Sequence, residues 1–385
     1  MVEAVRRGRP LREVARRLRV HLRTVQRWVR RAARRRLDRV DWADRPPRAR
    51  TIHRTAAAFE ERIVALRRDL AERSPLGECG AVAIHAAWTA QWATPPPAVR
   101  TIGRILVRRG VLDGRRRVRR RPPPPGWYLP AVAAGHADVD CFDIVAGLVI
   151  QGGPEVEVFT GLALLGGLPA AWPAERVTSA RVVAALEARW RAEGLPAYAL
   201  CDNDTRFQGT HRVPDAIGRV PRLCCSLGVV PVFAPVQEPG FLGALENFNG
   251  RWQAKVWARF RHASLAALRA RSARYLAAYR RRVAARVEAA PPRRPFPSRW
   301  RLDLAAPPRG LMIFLRRTDP RGCVSLLGHT VLVAPHWPHR LVRAEVRLPH
   351  GPIRFFALRR RDPADQPLLR EVPYRLPKNR WALKE

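Results

Sequence analysis

Apolar positions recur at helical spacing from Leu11 through "LREVARRLRVHLRTVQRWVRR", first as Val14, Ala15 and Leu18, then, after a break, as Val25, Trp28 and Val29. Two short helices at this spacing predict a helix-turn-helix within residues 1–45, with Arg23, Thr24, Gln26 and Arg27 turned toward a nucleic-acid groove. A second helical module is expected over 52–112, from "AAAFEERIVALRRDLAE" to "PPPAVRTIGRILVRRGVL". There Pro97 marks a helix start, Ile102, Ile105 and Leu106 point inward, and Arg100, Thr101 and Arg104 point outward as in a second DNA-binding helix-turn-helix, with a plain helical spacer as the alternative.

The stretch "DGRRRVRRRPPPPGW" interrupts both patterns, since consecutive prolines enter neither helices nor central strands; it predicts a basic, proline-rich linker at 113–135. From 136 the apolar period shortens. The segments "DVDCFDIVAGLVI" and "VEVFTGLALL" are strand-like, "TSARVVAALEARWRAEG" is an amphipathic helix, "AYALCDN" and "VVPVFAP" are further strands, and "GALENFNGRWQAKVWARF" is a closing helix. That order predicts an α/β core over 136–260. A basic helical connector at 261–308 follows, and at 309–385 short strands such as "HRLVRAEVRL" and "GPIRFFALRR" predict a small basic all-β barrel. The expected fold class is therefore multidomain: helix-turn-helix N-terminal modules, an α/β core and a small C-terminal barrel.

Composition sharpens this picture. The 385 residues are 47% hydrophobic, enough to bury real cores, yet carry a formal charge of +40. Only three of the 72 basic residues are Lys, and arginine's forked donors suit phosphate, so the expected partner is a polyanion. Between 136 and 260, 13 acids face 11 bases, so the excess charge lies in the flanks, as in an enzyme with separate nucleic-acid grips. The six Cys form no CxxC pair, which favours free thiols in a cytoplasm. The apolar run from Phe159 to Trp172 is too short and Gly-rich to span a bilayer, so no membrane is expected.

Three acids stand where secondary elements meet edges: Asp140 in the first strand, Asp202 ending the strand after the helix, and Glu246 opening the last helix. Hard oxygen ligands at such positions suit two divalent cations that serve phosphoryl transfer. Asp138 and Asp143 flank Asp140, and either could replace it. Asp204 reads as a residue capping its own turn.

The motifs "VDCFD", "CDNDTRFQG" and "PGFLGALENFNGRWQAKVW", in this order, resemble those of the DDE transposases and retroviral-type integrases with a ribonuclease-H-like core, bacterial insertion-sequence transposases especially. The resemblance extends to the order of modules and covers nearly the whole chain. It implies Asp140, Asp202 and Glu246 as catalytic metal ligands, two Mg2+ or Mn2+ ions, double-stranded DNA (element ends and target) as substrate, a homo-multimer on DNA, and work at the bacterial nucleoid. The alternative reading is a DNA-binding regulator, a domesticated relative with a silent core. The chain departs from the family pattern at Asp204, where relatives commonly have a Gly at positive φ, and at Ala163 and Gly166, where many have an acid and a Ser. The Asp202–Glu246 gap is lengthened by "QGTHRVPDAIGRVP", and position 253 is Gln where relatives have a base, leaving Arg251 or Lys255 to meet phosphate.

Overall fold

The structure, a computed structural model, describes residues 1–43, 54–112, 124–238 and 240–377. Contacts divide the chain into two compact units, Met1–Glu60 and Glu61–Glu385. The first holds α1 (Val2–Arg6), α2 (Leu11–Arg17) and α3 (Leu22–Ala32). Val14, Ala15 and Val25 form its core, with Val29 against them, as the spacing predicts. Leu18 does not join them: α2 stops at Arg17, so Leu18 falls in the turn and is 46% exposed. His21 caps α3, its Nδ1 accepting a hydrogen bond from the Arg23 N–H at 3.2 Å.

The division falls within α4 (Ala57–Arg73); from Glu61 onward α4, with α5 (Ala81–Gln91) and α6 (Val99–Arg108), carries the buried Ile63, Leu66, Ile84, Trp88, Ile102, Ile105 and Leu106. Residues 113–123 of the expected linker lie outside the described residues. The rest of it is no linker, because Trp127, Tyr128, Leu129 and Val132, the last on α7 (Pro130–Ala133), are buried in the core that follows. That core contains β1 (Val139–Val149), β2 (Glu155–Ala163), β3 (Pro169–Ala174), α8 (Ser179–Glu193), β4 (Tyr198–Cys201), α9 (Thr205–Gln208), α10 (Arg219–Ser226), β5 (Val230–Phe233) and α11 (Gly243–Trp252), which runs into a π turn at Gln253–Trp257. β1, β2 and β3 pair antiparallel, while β4 and β5 add parallel to β1. One sheet face packs Phe142, Phe159, Trp190, Leu223 and Phe233 under α8 and α10; the other packs Cys141, Val145, Leu200, Leu245, Phe248 and Trp252 under α11.

α12 (Leu265–Glu288) is the helix expected at 261–308, but it is part of the core and not a connector. Its Leu268, Ser272, Tyr275 and Ala278 are buried, Ser272 Oγ accepts from Trp252 Nε1 at 2.9 Å, and Arg269 Nε donates to the Pro173 carbonyl at 2.9 Å. The C-terminal strands correct the sequence reading further. β6 (Gly310–Arg317), β9 (Leu341–Leu348), β10 (His350–Ala357) and β11 (Leu368–Arg375) do not close a separate barrel; they extend the central sheet to nine strands in the order β11-β10-β9-β6-β5-β4-β1-β2-β3. The junction is a parallel pairing of Val232 with Ile313 and Phe233 with Phe314, whose rings stack at 5.0 Å. β7 (Cys323–Leu326) and β8 (His329–Leu332) form a separate hairpin. The alternation that marked these strands is the same for a barrel and for a continued sheet, so the sequence pattern did not separate the two. Among the described residues no helix is long and apolar enough to cross a membrane.

Because β6 covers the edge of β5 and shares its core, a chain ending at residue 308 is expected to lose cooperative unfolding and to bind hydrophobic dye. Thermal melts of the purified truncation check this; a sharply melting fragment would instead indicate an independent C-terminal domain.

Candidate active site

A strand's side chains alternate between its two faces, so the acids of β1 separate by parity. Asp140 shares a face with Phe142, under α8. It is fully buried, accepting hydrogen bonds from Arg189 at 2.9 and 3.1 Å, from Arg293 at 2.5 and 3.2 Å, and from Trp190 Nε1 at 3.2 Å. Burial alone would raise its pKa, but the two guanidinia overcome that and hold the carboxyl well below the usual carboxylate range. Asp138 is also engaged: its Oδ1 accepts from the Val139 and Leu165 N–H groups at 2.8 and 2.9 Å, fastening the start of β1 to the turn after β2. The first-ligand expectation for Asp140 therefore fails on geometry, since its lone pairs are taken and it lies on the face away from α11.

Asp143 points the other way. Parallel pairing sets Asp140 beside Ala199 and Cys141 beside Leu200, and two residues further the same register brings Asp143 beside Asp202. From α11, Asn249 Nδ2 donates to Asp143 Oδ2 at 2.9 Å, and Glu246 stands one helical turn before Asn249 on the same face. Burial, together with the negative charges of Asp202 and Glu246, pushes Asp143 up to about 6, against the lowering effect of its bonds from the Ile144 N–H and Asn249. Asp202 is raised as well, chiefly by burial and secondarily by Asp204; its Oδ1 accepts from the Asp204 N–H at 3.1 Å, which turns the chain sharply after β4. Glu246 is exposed in the first turn of α11. Asp143 thus faces α11 within the fields of Asp202 and Glu246, and Asp140 lies on the opposite face.

Among the described residues no three His, Cys, Asp or Glu side chains already stand in metal-ligating geometry. The donor set nonetheless fits a divalent cation. It consists of hard oxygens, two of the carboxylates are disfavoured as anions, and the buried Asn249 Oδ1 beside them has no hydrogen-bond partner.

Asp204 is not at positive φ, so the strain expected from the missing Gly does not arise. At φ −57° it caps α9, and its carboxylate accepts from Arg206 N–H, Nε and Nη2 at 2.7–2.9 Å. Arg206 also reaches Glu157 at 2.8 Å. Lys255 is committed elsewhere than phosphate: the π turn shifts its direction, and its Nζ donates to the Gly77 carbonyl at 2.9 Å. Arg251 is exposed at the end of α11. On α3 and α6, Arg23, Gln26, Arg27, Arg100 and Arg104 are exposed, and Thr24 and Thr101 are half-buried. Asn249 was missed in the sequence; its position one turn after Glu246 was the available signal.

Substituting Asp140 leaves two guanidinia without their counter-charge and should cost about 3–5 kcal/mol. Since the folded-state pKa is depressed, this stabilisation is full above the unfolded value of about 4 and is lost as pH falls below it. Denaturation of Asp140→Asn against the parent should show a gap that is constant above about pH 5 and narrows in acid. Asp143→Asn, which relieves repulsion, should be neutral or mildly stabilising in metal-free buffer.

Residues 1–40 match the family model of a homeodomain-like domain. No curated protein matches the chain in sequence. Among solved structures it is similar to a chain of the simian T-cell lymphotropic virus intasome in complex with PP2A regulatory subunit B56 gamma, at 15% identity and TM-score 0.33, covering 79% of this chain and 97% of that one. It is also similar to the HTLV-2 integrase catalytic core domain in complex with magnesium (13%, TM-score 0.27, 40% and 87% covered) and to the catalytic core domain of BIV integrase (15%, TM-score 0.26, 36% and 81%). The chain is thus similar to a homeodomain-like domain over residues 1–40 and, at low identity, to chains of retroviral integrases.

Proposed function

We propose that this chain is a DNA transposase or integrase that cuts and joins DNA at an acidic centre formed by Asp143, Asp202 and Glu246. The observation that carries the reading is Asp143 on the sheet face under α11 of a chain with charge +40, its carboxyl raised by burial and by the fields of Asp202 and Glu246 and bonded by Asn249. The motif order is the same as in the family, with Asp143 in place of Asp140 as the first-strand acid. Asn249 Nδ2 bonds Asp143 Oδ2 and the Ile144 N–H bonds Oδ1, which orients the carboxyl while each oxygen keeps a second lone pair for the site. Divalent cations, Mg2+ or Mn2+, would supply positive charge against the attacking and leaving oxygens of the phosphodiester. No covalent enzyme intermediate is required.

The α3 side chains Arg23, Thr24, Gln26 and Arg27 enter a groove at the element ends, and Arg100, Thr101, Arg104 and Arg251 grip backbone. Two ends must be paired, so the working form is a homo-multimer on DNA.

Nicking of supercoiled plasmid in Mg2+ or Mn2+, and joining of oligonucleotides that carry the element's ends, test the chemistry. Asp143→Asn, Asp202→Asn and Glu246→Gln should each reduce both by at least about a hundredfold, the loss expected when several kcal/mol of charge stabilisation go. Undiminished activity in all three removes the catalytic assignment. Binding without metal-dependent chemistry even in the parent would favour a DNA-binding protein with a silent core.

For recognition, Gln26→Ala or Arg27→Ala should weaken binding to the element ends by about 1–3 kcal/mol and reduce discrimination against unrelated duplex. Competition binding with the two DNAs reads both effects.

A further inference from the structure

The loop that lengthens the Asp202–Glu246 interval has a defined place in the fold. Its neck is the meeting of Gly209 and Gly218, where a Cβ on Gly209 would come within 2.7 Å of the Gly218 nitrogen and the Gly218 N–H donates to the Gln208 carbonyl at 3.0 Å. Its outer part is held by the C-terminal strands. The Asp215 carboxylate meets His329 Nε2 at 3.0 Å and accepts from Tyr374 Oη at 2.9 Å, while the Asp215 N–H donates to the Leu327 carbonyl at 3.0 Å. Loop and strands enclose a cleft of about 580 Å3 whose lining includes Asn203, Gln208, Thr210, His211 and Arg316. Asn203, which lines the cleft and bonds Arg316, is the residue after Asp202 in the chain.

Arg316 is the unusual member. Its guanidinium donates only to neutral acceptors, Asn203 Oδ1 at 2.9 Å and the carbonyls of Leu315, Ala234 and Ser325 at 2.9–3.3 Å, and lies 5.1 Å from the Phe314 ring centroid. Among the described residues no carboxylate offsets its burial, which lowers its pKa to about 10. Gln208 Oε1, in the same cleft, is buried without a hydrogen-bond partner. A cation held in place by its neighbours and lacking a counter-charge is suited to an anion that arrives from outside.

We propose that Arg316 and the 210–217 loop hold a DNA backbone phosphate flanking the one at the acidic centre. Arg316 is then a positioning residue, and the extra loop and the fused C-terminal strands exist on this side of the sheet as the two walls of its groove. The inference rests on the reading of the acidic centre as a DNA-processing site.

Anisotropy of the full chain with a fluorescein-labelled DNA duplex, across a NaCl series in EDTA, tests it. Arg316→Gln should flatten the slope of log affinity against log salt by about 0.9, the share of one phosphate contact, and weaken binding roughly tenfold. Arg316→Lys should restore the slope but not the full affinity, because a point charge replaces the fork. A purely structural Arg316 would not give that pattern, and thermal melts monitor folding. If Arg316→Gln does not fold, His211→Glu on the exposed loop decides, since a carboxylate in the cleft should repel the backbone and weaken binding. Unchanged slope and affinity in the folded variant overturn the proposal. EDTA keeps this outcome separate from the catalytic reading: DNA binding can fail here while nicking depends on the acids, and the reverse.

Discussion

A carboxylate inside a sheet core persists as an anion only where partners replace its water, and Asp140 has three: Arg189, Arg293 and the Trp190 indole. These partners arrive from α8 and from the segment beyond α12, 49 to 153 residues away, so one side chain fixes where both elements meet β1. The arrangement carries a cost of its own, since Arg189 Nη1 is buried without a partner, and it specifies position more than it adds stability. With β1 anchored on that face, the pleat presents Asp143 on the other at a register set by β4.

The same chain therefore treats acids in two ways. On the α8 face the charge is neutralised internally by arginine; on the α11 face Asp143 is met by an amide, a backbone N–H and the fields of two more carboxylates. Three bases of the core are already engaged elsewhere. Arg206 is held by Asp204 and Glu157, and Lys255 and Arg259 clasp carbonyls at the end of α4 and in the turn after it. Such diversion keeps a strongly basic protein from quenching its own acidic centre.

This explains what could be read in advance. The elements themselves were legible, because burial of Val14, Val25, Ile102 and Ile105 follows the helical period, and the consecutive burial of Val139, Cys141 and Phe142 marks a strand covered on both faces. Asp202 and Glu246 were legible as acids at element ends. The choice between Asp140 and Asp143 was not, since apolar neighbours mark a strand without saying which face meets α11, and the deciding arginines are remote in sequence. The role of Asp204 was legible as a cap, but its pairing with Arg206 was not, because Arg206 is also held by Glu157, which is remote in sequence.

The C-terminal strands show the limit of pattern most clearly. Alternation in β6, β9 and β10 announces two-sided strands, yet a strand's edge carries no label for its neighbour, and only the parallel Val232–Ile313 pairing decides that the sheet continues. Continuation has a consequence that a tethered barrel would lack. Arg316 is carried on the strand beside β5, in direct bond with Asn203, so its placement relative to Asp202 is set by sheet register and not by a flexible joint. Groups that must act on adjoining atoms of one substrate are best held by such shared backbone pairing, where the spacing between strands is uniform and rotation about a linker cannot enter.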